Sequence, residues 1–203
     1  MQPGQVRQSR FLSRVLRHAP GSIGLSLDDA GWADIDALIA QARTHGVPLD
    51  RPALDAIVAG NDKQRYAIDE TGTRIRARQG HSIDVDLGLV PVEPPARLFH
   101  GTATRHLRAI LRDGLHRGRR MHVHLSSDAD TARRVGARHG MPAVLGIRAH
   151  AMHAAGHVFL RAENGVWLVE RVPRGFIEYP LGGAVESSTA AHASEPPPPC
   201  ASA

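Results

Sequence analysis

Apolar residues recur at helical spacing three times in the first sixty positions. Phe11, Leu12, Val15 and Leu16 predict a helix over 9–18, ended by Pro20 and Gly21. Ile35, Leu38, Ile39 and Ala42 predict a second over 34–45, with Asp34 as its N-cap and Gly46 as its stop. A third spans 51–59 behind the cap Asp50. The period then changes: 65–68 and 73–78 read as short strands around a turn at 69–72. The proline-rich stretch 90–97 reads as a linker.

Beyond it, strands are expected at 98–100, 123–125, 143–148, 158–161 and 166–169. Helices are expected at 104–113 and at 128–139, the latter capped by Asp128. From 183 the chain turns to Ala, Ser and Pro, a composition that favours a disordered tail. The organisation predicted is α+β. A lobe of three helices and a hairpin over 1–90 has the winged-helix pattern, a common nucleic-acid-binding module. A second lobe of short strands covers 97–182, and 183–203 is the tail.

Composition narrows the class. Hydrophobic residues make up 42% of the 203, enough for a buried core, and no apolar run has transmembrane length. The N-terminus lacks an apolar secretory segment, and Cys200 is the single cysteine, so a cytoplasmic protein without internal disulfides is expected. The net charge of +5 suits a polyanionic partner. Lys63 is the only lysine among 25 basic residues. Arginine grips phosphate bidentately, but a GC-rich genome also favours it, so only particular arginines carry weight.

Several clusters could carry chemistry. Arg17-His18 ends the first helix, where the helix dipole favours cations and an Arg–His pair can hold a phosphate. Lys63-Gln-Arg65-Tyr66 and the arginines of 75–78 match a solvated basic wing, whereas Gln79-Gly-His81-Ser82, a flexible glycine among three polar side chains where a strand should end, is harder to explain structurally. His100-Gly101-Thr102 follows a strand. In Arg120-Met-His122-Val-His124-Leu-Ser126, strand alternation puts His122, His124 and Ser126 on one face and Val123 and Leu125 in the core. Zinc would need more ligands than His-x-His supplies, so no metal is expected. Glu163-Asn-Gly-Val-Trp167-Leu reads as a hairpin turn.

Taken in order, these motifs resemble the RNA 2′-phosphotransferase family, of the KptA type. The matches are S-x-x-L-R-H-x-P at 13–20, I-G-L-x-L-D-x-x-G-W at 23–32, K-x-R-Y at 63–66 and I-R-A-x-Q-G-H-S at 75–82. H-G-T at 100–102, H-V-H-L-S at 122–126, V-G-x-R-H-G at 135–140 and E-N-G-V-W-L at 163–168 complete the set. Arg78 stands where many relatives carry Asn.

The resemblance implies a winged-helix lobe joined to an ADP-ribosyltransferase-like NAD lobe. It implies a catalytic set of Arg17, His18, Arg65 and Arg120. His81, Ser82, His100, Gly101, Thr102, His124 and Ser126 would line the NAD pocket. NAD would be a co-substrate. The RNA 2′-phosphate would attack the nicotinamide ribose to give RNA-2′-phospho-ADP-ribose. The ribose 2″-hydroxyl would then expel the RNA, leaving ADP-ribose 1″,2″-cyclic phosphate. The expected partner is RNA with an internal 2′-phosphate, tRNA among the candidates, met by a monomer. Three rivals share some of these residues: an ADP-ribosyltransferase that caps nucleic-acid phosphate ends, a 2H phosphoesterase using His100 and His124, and a non-enzymatic winged-helix binder.

Overall fold

The structure, a computed structural model, describes residues 3–60 and 64–179. Lys63 and the tail expected over 183–203 lie outside the described residues. The described residues form a mixed α/β arrangement of six α-helices and small antiparallel sheets around two apolar clusters.

The N-terminal part begins with α1 (Pro3–Arg17) and continues through β1 (Ala33–Asp34), α2 (Ile35–Thr44), α3 (Arg51–Ala59), β2 (Tyr66–Ile68) and β3 (Arg74–Ala77). Both expected caps form: Asp34 accepts from Ala37 N and Asp50 from Ala53 N. Sheet order is β1-β3-β2, with Ile75 opposite both Ala33 and Ile68. One face of each helix closes over this sheet, burying Leu12, Leu16, Leu38, Leu54, Ile57 and Ile75. α1 starts six residues before the expected position, because its first turns are polar and leave no apolar stripe to read.

The proline-rich stretch is no free linker. Val92 N donates to Phe159 O, and Val92 packs on the second cluster. There follow β4 (Leu98–Ala103), α4 (Leu107–Asp113), β5 (Leu115–His116), β6 (Val123–Leu125), α5 (Ala129–Gly136), β7 (Pro142–Ile147), α6 (Ala149–Ala154), β8 (Phe159–Arg161), β9 (Trp167–Val169), β10 (Arg171–Val172) and β11 (Ile177–Glu178). Two three-stranded sheets, β11-β7-β4 and β6-β9-β8, meet where Phe99 and Ser126 exchange backbone hydrogen bonds. A two-stranded ladder pairs β10 with β5. β4 is twice its expected length, because His100-Gly-Thr102 pairs along β7 rather than ending the strand. Helix 128–139 stops at Gly136 and finishes as a 3₁₀ turn. No described helix is long and apolar enough to cross a membrane.

One approach is unusually close. A Cβ on Gly101 would lie 1.7 Å from the carbonyl oxygen of Ala132, and one on Gly136 would lie 2.6 Å from that of Thr102. Strand β4 and helix α5 therefore touch backbone to backbone, and two of the sequence motifs supply one glycine each.

Candidate active site

The end of α1 supplies the first functional pair. Its last carbonyl, on Arg17, has no partner within the helix and accepts from Ser82 N at 2.9 Å. His18 Nδ1 meets Ser82 Oγ at 2.9 Å. Gly80, at φ 89°, makes the turn that brings Ser82 there. Arg17 is only 8% exposed. Its Nη2 reaches Arg65 O at 3.5 Å, and its Nε has no hydrogen-bond partner among the described residues. Burial, and then the neighbouring charges of Arg65 and Arg120, lower it to about 10.

The second half comes from the segment before β6. Met121 N donates to His81 O at 3.0 Å, which sets Arg120 beside the first pair. Partial loss of hydration, then the charges of Arg17 and Arg120, hold His18 below the usual imidazole range. Burial followed by Arg120 takes His124 to about 3. Burial lowers His100 as well, and Arg120 adds to the effect. Four residues expected to act together, Arg17, His18, Arg65 and Arg120, thus meet at the junction of the two parts.

The expected strand stripe also forms, with Val123 and Leu125 buried and His122 and His124 on the other face. His124 donates from Nδ1 to His122 O and His100 from Nδ1 to His124 O, each at 3.0 Å. These bonds leave each neutral ring with its lone pair at Nε2, and that of His124 is buried without a partner. His81 is 2% exposed, and neither ring nitrogen has a partner among the described residues. Burial, then Arg17 and His18, lower it to about 4.

A cleft of about 140 Å³ opens beside this cluster. His81, His122 and His124 line it, as do Gln79 and Gly80. Val85, Leu87, Leu89, Met121, Leu160 and Leu168 give it apolar walls, and Asp86 adds one carboxylate to the lining. Ser82, His100, Gly101, Thr102 and Ser126 lie outside that lining. Ser82 holds His18, and Ser126 ties the two sheets. Gly101 and Thr102 sit buried under α5. Sequence reasoning missed Val85, Leu87 and Leu89, although the alternation I-D-V-D-L-G-L over 83–89 signals a one-sided extended segment.

Around Arg17, His18 and the buried imidazoles the charges are one-sided, whereas Glu170 acts on His122 and Asp86 lines the cleft. No acidic side chain is among the groups that shift Arg17, His18, His81, His100 or His124. Nor does an ion pair engage Arg17 or Arg120 among the described residues. Arg76 and Arg78 differ: Glu163 bridges them. Arg78 thus faces a carboxylate rather than the cationic cluster. Among the described residues, no three His, Cys, Asp or Glu side chains gather as metal ligands.

Like charges held together in a half-dry site repel, and an arriving anion relieves them. Two or three guanidiniums with an imidazole suit a phosphoryl group better than a carboxylate, having more donors than two oxygens accept. The arrangement therefore suits a phosphoryl group. Residues 3–171 match the family model described as RNA 2'-phosphotransferase, Tpt1 / KptA family, and the chain belongs to that family. It is 55% identical to "Probable RNA 2'-phosphotransferase" of Agrobacterium fabrum, across 88% of this chain and 96% of that protein. Similar proteins of the same name occur in Streptomyces coelicolor (53% identical; 86% and 95% covered) and Pseudomonas aeruginosa (57%; 83% and 93%).

Proposed function

We propose that this chain removes an internal 2′-phosphate from RNA by transferring it to the ADP-ribose of NAD. The N-terminal part is read as a winged-helix RNA-binding lobe and the C-terminal part as an ADP-ribosyltransferase-like lobe. The observation that carries the reading is the uncompensated cationic cluster formed by Arg17, His18 and Arg120 across the junction. Each part contributes to it, which is the placement expected if one part presents RNA and the other presents NAD.

The residues present suit NAD as the second substrate. Neutral imidazoles with unpartnered nitrogens, in a cleft with apolar walls, favour an uncharged heterocycle or sugar over another anion. His81 and His124 are the groups that would hold it there. NAD supplies an anomeric carbon with a good leaving group, so attack by phosphate needs positioning more than acid catalysis.

The protein's own residues then divide the labour. Arg17 and Arg65 hold the 2′-phosphate so that one oxygen points at that carbon. Arg120 approaches from the other part and stabilises the charge that gathers on the phosphoryl oxygens when the ribose 2″-hydroxyl attacks phosphorus and gives up its proton to solvent. His18 donates a proton to the departing RNA 2′-oxygen. In the free protein partial loss of hydration, and then Arg17 and Arg120, hold this imidazole low. A bound phosphate dianion offsets both charges and so favours the protonated ring.

A 2′-phosphorylated oligonucleotide incubated with and without NAD tests the whole reading. Repaired RNA and one equivalent of nicotinamide are expected only with NAD. Phosphate loss without NAD, or no loss at all, would overturn it.

A further inference from the structure

Glu163 lies outside the cluster used above, in the turn between β8 and β9. Its carboxylate crosses the junction. Oε1 accepts from Arg76 Nη2 at 2.6 Å, and Oε2 accepts from Arg78 Nη1. Both arginines are held from behind. The Arg76 guanidinium lies 4.5 Å over the Trp32 ring, and Arg78 Nε donates to Tyr66 O at 3.1 Å. Arg78 N donates to Arg65 O, and that same oxygen lies 3.5 Å from Arg17 Nη2. A continuous line of bonded groups thus runs from a turn of the C-terminal part to two arginines of the phosphate site.

The division of the site makes this line matter. Arg17, His18 and Arg65 belong to the N-terminal part, and Arg120 and His124 to the C-terminal part. Their spacing is therefore a property of the junction and not of either core. At one edge of the cleft the junction is tied by Met121 N and His81 O. A second tie is the bridge from Glu163. Without the carboxylate, two neighbouring guanidiniums, with side chains 14% and 24% exposed, would repel each other and draw water into the junction.

We propose that Glu163 is a positioning residue, which holds the C-terminal part against β3 and so sets the spacing of Arg120 from Arg17 and His18. The proposal rests on the reaction described above. It does not place Glu163 on substrate. Displacement of a reacting group by about 1 Å can cost on the order of 100-fold in rate.

The test compares Glu163→Gln and Glu163→Asp with the parent on NAD and a 2′-phosphorylated oligonucleotide. Glu163→Gln should lower kcat roughly 10- to 100-fold, with KM for both substrates within about 3-fold. Glu163→Asp should recover most of the loss. In an Arg76→Gln/Arg78→Gln background, Glu163→Gln should have no further effect. A lower melting temperature with kcat intact would make the bridge merely structural and overturn the proposal. A raised KM at normal kcat would make Glu163 a substrate contact and overturn it equally. A second measurement needs no substrate. Spin labels at exposed Ala40→Cys and His153→Cys, in a Cys200→Ala background, report the distance between the parts. Glu163→Gln should broaden that distribution, and an unchanged one would sink the idea. If the parent protein turns over nothing, the proposed reaction fails while the distance measurement still decides on Glu163.

Discussion

Arg76 and Arg78 face the junction with a carboxylate between them, whereas Arg17 and Arg120 face it with none. Both pairs are partly shielded from water, and both are flanked by aromatic rings or neutral imidazoles. The difference is who supplies the negative charge. At the bridge the protein supplies it, so the interaction is satisfied on folding. At Arg17 and Arg120 no described carboxylate supplies it, so the repulsion remains, and on the proposed reading an arriving anion relieves it. Residue type alone does not separate the two, because both are pairs of arginines in an arginine-rich chain. What separates them is the position of Glu163, 85 residues further along the chain from Arg78.

The largest effect should follow from removing a cation from the uncompensated side. Arg120→Ala should lower repaired-RNA formation by about 100- to 1,000-fold, with RNA-2′-phospho-ADP-ribose accumulating as a slower gel band that needs NAD. Equal and normal release of nicotinamide and repaired RNA by the folded variant would contradict the role given to Arg120. Next is the attempt to turn the site into a bridge. Ser82→Asp would place a carboxylate beside His18 and near Arg17. It should raise the melting temperature by a few degrees, worth about 1 kcal/mol, while activity falls at least about 100-fold. An active, unstabilised variant would show that the cations are not waiting for an anion.

The buried imidazoles give a pH dependence. His81 is about 4 in the folded chain and near 6.5 when unfolded. Above pH 6.5 it is neutral in both states and costs nothing. As pH falls from 6.5 towards 4, the unfolded chain gains a proton that the folded chain refuses, and stability drops by up to roughly 3 kcal/mol. Denaturant melts across that window should show the decline, and His81→Gln should flatten it. The smallest effect belongs to one arm of the bridge. Arg78→Asn leaves Arg76 on Glu163 and should cost under about 1 kcal/mol of stability, with kcat within about 3-fold, read by the same melts and assay.

Much of this was legible beforehand, for identifiable reasons. Asp34, Asp50 and Asp128 announce helices because an N-cap is a local interaction, and all three accept the expected amide. The shared face of His122 and His124 follows from strand alternation alone, while Ser126 lies past the end of β6 and outside the cleft lining. Three kinds of feature escaped. The two-residue strands β1, β5, β10 and β11 and the six-residue helix α6 are too short to show a periodicity, and the strands exist only through their partners. The wall at Val85, Leu87 and Leu89 belongs to a segment without regular structure. The link from Glu163 to Arg76 and Arg78 joins positions 85 to 87 apart, and no local pattern encodes it.

The contact between Gly101 and Gly136 bears on how relatives of this chain should be read. His-Gly-Thr looks like a substrate-binding signature, yet its glycine is demanded by helix α5, and the glycine of Val-Gly-x-Arg-His-Gly is demanded by strand β4. Neither position accepts a side chain, because a Cβ on Gly101 meets the backbone of Ala132 and one on Gly136 meets that of Thr102. Selection for a folded C-terminal part therefore preserves both glycines even in a descendant that has stopped turning over substrate. If the proposed reaction holds, the arginines at 17, 65 and 120 are free to erode in such a lineage while the two glycines persist. On that reading the glycine pair reports ancestry, and the arginines report whether the chemistry was kept.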